Sequence, residues 1–223
     1  MNINSSSLKY YEFCQTKKPK YLIVFLHGYG ANGQNLISLA DDFSEVINDG
    51  FFISPNAIEP WEGGFPNSYQ WFSLYQNNYR KTLNDLAEEI RNANKVLKNF
   101  LNEQLQKLAL DLSKLILIGF SQGSMMANYQ AMIASQPLAG VVSFSGRIIE
   151  PTIVGDKIIS KTKTCLIHGQ DDSVLDFSNF IEAKKILERL AIPFEAHALD
   201  NLDHSIDLRC VDISKKFLKS LIN

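Results

Sequence analysis

The sequence predicts an α/β protein with a mostly parallel central sheet and helices on both faces. Three observations carry that prediction. Short apolar runs rich in Val, Ile, Leu and Phe alternate with longer segments of helical spacing. Most of these runs are continuously apolar, which suits strands buried on both faces. Gly or Pro bounds them. The 223 residues, 45% hydrophobic and 21% charged, suit one large globular core and argue against disorder. With no repeat and no linker, residues 1–223 read as a single domain.

Each element follows in order. LKYYEFC (8–14) reads as an edge strand, and YLIVFLHG (21–28) as the first core strand. NLISLADDFSEVIND (35–49) reads as a helix, FFIS (51–54) as the next strand. Residues 84–110 place Leu86, Ile90, Ala93, Leu97, Leu101, Leu105 and Leu108 at three- and four-residue steps, one apolar stripe on a long helix. KLILIGF (114–120) is a strand and SQGSMMANYQAMIAS (121–135) the helix after it. GVVSFSG (140–146), TCLIHG (164–169) and FEAHAL (194–199) are further strands. DFSNFIEAKKILERL (176–190) and DLRCVDISKKFLKSL (207–221) are the closing helices. Residues 54–80 break the rhythm, being rich in Pro, Gly, Asn and aromatics. Such a long segment is either a functional loop or a surface loop pinned by Trp61, Phe65, Trp71 and Phe72.

Composition excludes several function classes. A net charge of −2 leaves no basic footprint for nucleic acid. The densest basic clusters, Lys17-Lys18-Pro19-Lys20 and Lys157 to Lys163, read as solvated loops. Three dispersed cysteines, Cys14, Cys165 and Cys210, give neither a disulfide framework nor a zinc spacing, and Cys165 reads as a small core residue. The start, MNINSSSLKY, lacks the plan of a secretory leader, and no apolar run is long enough to span a membrane. A reduced, cytoplasmic setting is the expectation.

GFSQG (119–123) raises the chemical question. A serine hydroxyl is a poor nucleophile that needs a base and donors for the oxyanion it creates. A sharp strand-to-helix turn would project Ser121 above the sheet. It would also set the next backbone N–H at a helix N-terminus. Such a turn crowds the positions two residues either side, where Gly119 and Gly123 stand. The rival reading is a tight turn whose serine caps the helix.

A base after the serine must be His168, His197 or His204. His197 falls on a sheet face and reads as a satisfied core histidine. His168 ends a strand. His204 lies in a polar loop between the last strand and last helix, where an imidazole can swing over the sheet, and it is the choice. The acid belongs in LIHGQDDSVLD. Asp171 and Asp172 point in opposite directions in an extended loop, so only one faces the histidine. Asp176 reads as an N-cap for a helix starting near Phe177, and Asp203 is too close in sequence to His204 to pair well. A second oxyanion donor belongs to LHGYGANG (26–33), which makes the N–H groups of Tyr29 and Gln122 the candidate hole and His27 a loop brace.

FLHGYGANGQNL, GFSQGS and HGQDDSVL, in that order, resemble the phospholipase/carboxylesterase branch of the α/β hydrolases, which includes the acyl-protein thioesterases. PNAIEP followed by YQWFSL is similar to the bacterial carboxylesterase version. The resemblance runs from about Tyr21 to the C-terminus. Its HGxxDxV pattern selects Asp172 as the acid, its HGxG loop supports Tyr29, and its nucleophile and following residue map onto Ser121 and Gln122. It implies an α/β-hydrolase fold without a large cap domain, no metal or other cofactor, and ester or thioester substrates. Two departures stand out. Ser124 replaces the family's second glycine, and DNLDHSI lacks the glycine that relatives often place before the histidine.

The sequence therefore reads as a serine hydrolase with Ser121, Asp172 and His204 as its triad, forming an acyl-enzyme. Phe65, Trp71 and Leu175 are the expected acyl-pocket wall. The expected partner is a small-molecule or lipid-like acyl ester, or an acylated protein. The expected assembly is a monomer or homodimer, with no nucleic acid and no membrane segment. A peptidase or lactone hydrolase on the same scaffold, or a non-catalytic binding module, is the alternative.

Overall fold

The computed structural model describes residues 8–76 and 79–222. Residues 1–7, read above for a leader, and Asn77 and Asn78 of the long loop lie outside them. Seven strands form one sheet: β1 (Tyr10–Cys14), β2 (Tyr21–Leu26), β3 (Gly50–Pro55), β4 (Leu115–Phe120), β5 (Gly140–Phe144), β6 (Thr164–Gly169) and β7 (Phe194–Leu199). Their spatial order is β1-β3-β2-β4-β5-β6-β7. Only β1 runs antiparallel, against β3; every other pairing is parallel. This is the architecture that the α/β-hydrolase resemblance implies.

The apolar runs are buried on both faces because side chains alternate across the pleat. In β2, Leu22, Val24 and Leu26 enter one core while Ile23 and Phe25 enter the other. The first core is covered by α3 (Leu83–Leu108) and α4 (Gln122–Ile133), and a satellite cluster lies under α5 (Ser178–Arg189). The second is covered by α1 (Gly33–Ile37), α2 (Ala40–Ser44) and α6 (Leu208–Leu221). The stripe on α3 packs as spaced, with Leu86, Ile90, Ala93, Leu97, Leu101 and Leu105 buried and Leu108 partly so. Thr82 and Asp85 form a capping box at its start.

The expected single helix over 35–49 is instead two short ones, α1 and α2. Asn32 caps the first. The Ser38 hydroxyl then donates to the Asn35 carbonyl (3.2 Å), and Leu39 N–H turns back to the Leu36 carbonyl (3.0 Å). These local bonds compete with the helical ladder and bend the chain. His197 also departs from expectation. It sits on the edge strand β7, half-exposed, with Nε2 3.4 Å from Glu195, because no further strand covers that side of the sheet.

Candidate active site

Ser121 follows β4 directly and precedes the first residue of α4. Its backbone is in a strained region, φ 53° and ψ −116°. The strain is held from both sides: Ser121 N–H donates to the Phe144 carbonyl (2.9 Å), and its own carbonyl accepts from Met125 (3.2 Å). The glycines are required by contact. A Cβ on Gly123 would lie 1.9 Å from the Leu26 carbonyl oxygen, and one on Gly119 would lie 2.5 Å from that of Gly123. The Ser121 hydroxyl makes no capping hydrogen bond to α4, which removes the structural reason for a capping serine.

Ser124, the departure from the family glycine, is fully buried. Its hydroxyl bonds that of Ser143, and Asn128 Nδ2 donates to the Ser124 carbonyl (2.9 Å) and the Ser143 hydroxyl (3.0 Å). Gly146 makes room for it, since a Cβ there would meet Ser124 Oγ at 2.1 Å. The extra polar group is thus satisfied rather than stranded.

Asp172 and His204 come from loops after β6 and β7. Asp172 Oδ2 accepts from His204 Nδ1 at 2.8 Å, and its side chain is fully buried. Its other oxygen, Oδ1, accepts the N–H groups of Val174 (3.0 Å) and Leu175 (2.8 Å). Asp171 points outward, exposed, with its N–H on the Leu202 carbonyl. The His204 ring lies 4.8 Å from that of Phe120, and His204 and Ser121 face the same cavity.

Two neighbours brace this pair. His168 is buried, and its Nε2 lies 2.9 Å from the Leu175 carbonyl and 3.2 Å from Asp172 Oδ2. Both are acceptors, so that nitrogen carries the proton and adds a further donor to the carboxylate. Asp203 Oδ1 accepts from Ser173 N–H (2.8 Å), Ser173 Oγ (2.9 Å) and His204 N–H (2.8 Å). These bonds, the Ser173 N–H first, hold its carboxyl below the ordinary range and tie the Asp172 loop to the His204 loop. Sequence alone gives neither residue a part in the site, because their roles depend on loops 30 residues apart meeting. Asp176, the expected cap, lies one place before the observed one: Phe177 takes the cap position of α5, while Asp176 Oδ1 accepts from Ser178 N–H (2.9 Å).

Among the described residues, the backbone N–H groups of Tyr29 and Gln122 donate to no protein acceptor, and both residues line the cavity with Ser121. Gln122 has a second task. Its side-chain oxygen accepts from Trp71 N–H (2.9 Å) and its amide donates to the Phe72 carbonyl (2.7 Å), which pins the long loop to the Ser121 turn.

His27 is the brace on the other side. Its Nε2 accepts from Ala57 N–H (2.9 Å), so its proton is on Nδ1 and is given to the Gly28 carbonyl (2.8 Å). The Trp71 indole N–H donates to the His27 carbonyl (3.0 Å). Burial lowers the imidazole pKa from 6.5 to about 4, so it is neutral in the folded protein. The unfolded chain therefore binds this proton more readily, and stability falls as pH falls from 6.5 toward 4. The window is worth about 3 kcal/mol. In denaturant melts, His27→Asn is expected to be less stable than wild type at pH 7 but to lose less between pH 7 and 4.5. Equal losses would refute the role of His27.

The cavity holds about 870 Å³. Phe72, Leu74, Leu86, Met125, Ile149 and Leu175 form its apolar wall. Of the three expected wall residues only Leu175 lines it. Trp71 is completely buried beneath, committed to His27 and Gln122, and the next residue, Phe72, faces the cavity instead. Phe65 is 68% exposed and stacks on Trp61 (5.6 Å), whose ring in turn meets the edge of Tyr29 (5.8 Å). It forms the outer end of an aromatic ladder that props the loop of Tyr29. Burial, and then its hydrogen bond to Glu62, raises the Tyr29 phenol pKa, so that side chain is a fixed neutral donor. An outer hollow of about 610 Å³ near Tyr10 and Asn67 holds no nucleophile and base together.

Among the described residues one group has metal-ligand character: Cys165, Glu195 and His197, within 4.8 Å of one another on β6 and β7. Burial pushes the Cys165 thiol up to about 12, and Lys163 Nζ lies 3.6 Å from Glu195. A neutral thiol with an ammonium already on the carboxylate is a poor donor set for a cation. The group sits at the end of the sheet away from Ser121.

The sequence profile of a family described as Phospholipase/Carboxylesterase matches residues 13–222. Esterase YpfH of Escherichia coli (strain K12) is 26% identical over 212 residues, 92% of this chain and 85% of that protein. Acyl-protein thioesterase 1 of Candida albicans is 23% identical, covering 91% of this chain and 93% of its own. Among solved structures, esterase PE8 superposes with a TM-score of 0.89 at 31% identity, over 96% of this chain and 99% of that one. The Bacillus cereus carboxylesterase shares the fold with a TM-score of 0.77 at 18% identity, over 96% and 95%.

Proposed function

The chain belongs to the phospholipase/carboxylesterase family, and on that premise we propose that it is a serine hydrolase that cleaves carboxylic esters or thioesters through an acyl-enzyme. The observation that carries the reading is the Asp172–His204 bond of 2.8 Å beside a cavity that also exposes Ser121 on its strained turn.

In this mechanism Ser121 Oγ attacks the acyl carbonyl carbon while His204 Nε2 takes its proton. Asp172 holds Nδ1–H, fixing the tautomer that leaves Nε2 free, and stabilises the imidazolium without taking the proton itself. The carbonyl electron pair moves to oxygen, which the N–H groups of Tyr29 and Gln122 receive. Each such donor is worth about 3 kcal/mol in the transition state. Collapse breaks the bond to the alcohol or thiol, which leaves with the proton from His204. Water then gives a proton to His204 and attacks the acyl carbon, releasing the acid and restoring Ser121.

The apolar wall formed by Leu86, Met125, Ile149 and Leu175 suits an acyl chain, which supports small or lipid-like acyl esters as substrates. The relatives' names, esterase and acyl-protein thioesterase, support the pair of leaving groups. No helix among the described residues is long and apolar enough to cross a membrane. The test is a fluorophosphonate probe followed by peptide mapping. A single adduct on Ser121 is expected. Folded wild type that takes up no probe, or an adduct on another serine, would overturn the reading.

A further inference from the structure

Arg147 lines the cavity alongside Ser121 and His204, yet it has no ion-pair partner among the described residues. Its Nε is buried without an acceptor. A half-buried guanidinium left short of acceptors is costly, so such groups are normally paired. The other cation of the cavity, Lys81, is already bonded to Glu89. Asp176, the acidic residue among those lining the cavity, forms no ion pair with it and accepts from the Ser178 N–H instead.

The backbone holds Arg147 in place. Ser145, two residues before it, adopts a positive φ of 44° and donates its N–H to the Ile167 carbonyl (2.9 Å). Gly146 is packed on Ser124. Ile148 and Ile149 are both buried. A strained, doubly anchored segment that sets a guanidinium short of acceptors in the wall of the cavity that holds Ser121 is poorly explained by folding alone.

We propose that Arg147 is a specificity residue that binds a carboxylate carried by the substrate, so that the preferred esters or thioesters are singly anionic. The inference rests on the serine-hydrolase reading above. A guanidinium presents N–H donors in a planar fork that matches a carboxylate. One unpaired cation balances one negative charge, whereas a phosphate dianion would need more. Lys81 is not free to supply it.

The experiment compares matched substrates. On the acyl side they are mono-p-nitrophenyl glutarate and p-nitrophenyl valerate. On the alcohol side they are carboxymethyl butyrate and propyl butyrate, followed by acid release. For at least one pair, Arg147→Gln is expected to lower kcat/KM for the anionic member by roughly 10- to 100-fold, mainly through KM. The neutral member should change by less than about threefold, which also reports that the variant is folded. Arg147→Lys should recover part of the loss, and added salt should shrink the wild-type preference. If Arg147→Gln lowers both members of each pair equally, or neither, the inference fails while ester hydrolysis stands. If wild type hydrolyses none of the four, it is the serine-hydrolase reading that fails. A phosphoglycerol butyrate turned over faster than carboxymethyl butyrate, with the same dependence on Arg147, would overturn the carboxylate assignment.

Discussion

Replacing Ser121 with Ala is expected to lower kcat on a p-nitrophenyl ester by about a millionfold, with the fold intact. The loss is large because nucleophile and base act as a unit, so removing Oγ leaves only binding and the oxyanion donors. The fold should survive because the hydroxyl makes no cap to α4, and the Ser121 backbone bonds to Phe144 and Met125 do not involve it. Ser121→Gly sharpens the test. It removes the same oxygen but also relieves a non-glycine residue held at φ 53°, so it should be about 1 kcal/mol more stable than Ser121→Ala. Kinetics and denaturant melts on the two variants check both halves. Residual turnover within tenfold of wild type would exclude Ser121 as nucleophile.

Asp172→Asn is expected to lower kcat by about 10,000-fold, and Asp171→Asn by less than about threefold. The carbonyl of the substituted side chain could still accept from Val174 and Leu175, the bonds that Asp172 Oδ1 now receives. Its amide nitrogen would then face His204 Nδ1–H and the His168 Nε2–H, two donors that now share Oδ2. Donor would oppose donor. His204 would have to move its proton to Nε2, the nitrogen needed as base. Asp171 is exposed and, among the described residues, its side chain has no hydrogen-bond or ion-pair partner, so its charge has no such duty. Steady-state kinetics on the pair decide the matter, and the reverse order would exchange the two residues' roles.

Most of the fold was legible because burial imposes period. Short continuous apolar runs bounded by Gly or Pro suit strands covered on both faces, and the Leu86-to-Leu105 spacing puts one apolar side on a helix. The break at Ser38 was not legible, since a side-chain hydroxyl competing for one carbonyl leaves the apolar spacing unchanged. The site was legible where chemistry and sterics demand particular residues at particular offsets, as in Gly119-x-Ser121-x-Gly123, where a Cβ at either end would strike backbone.

By itself the sequence determined the strand–helix alternation, the glycine-flanked turn at Ser121, and the order of Ser121, Asp172 and His204 along the chain. Each of these is a local demand of period, sterics or motif. Only the tertiary structure decided that Trp71 turns inward and Phe72 outward, that Phe65 props the loop of Tyr29 from solvent, that His168 and Asp203 brace Asp172 and His204, and that Arg147 lines the cavity without an ion-pair partner among the described residues. The reason is physical. In an aperiodic loop no alternation assigns a face, so a side chain's direction is set by the acceptors that distant segments bring to it, and those meet only in the folded chain.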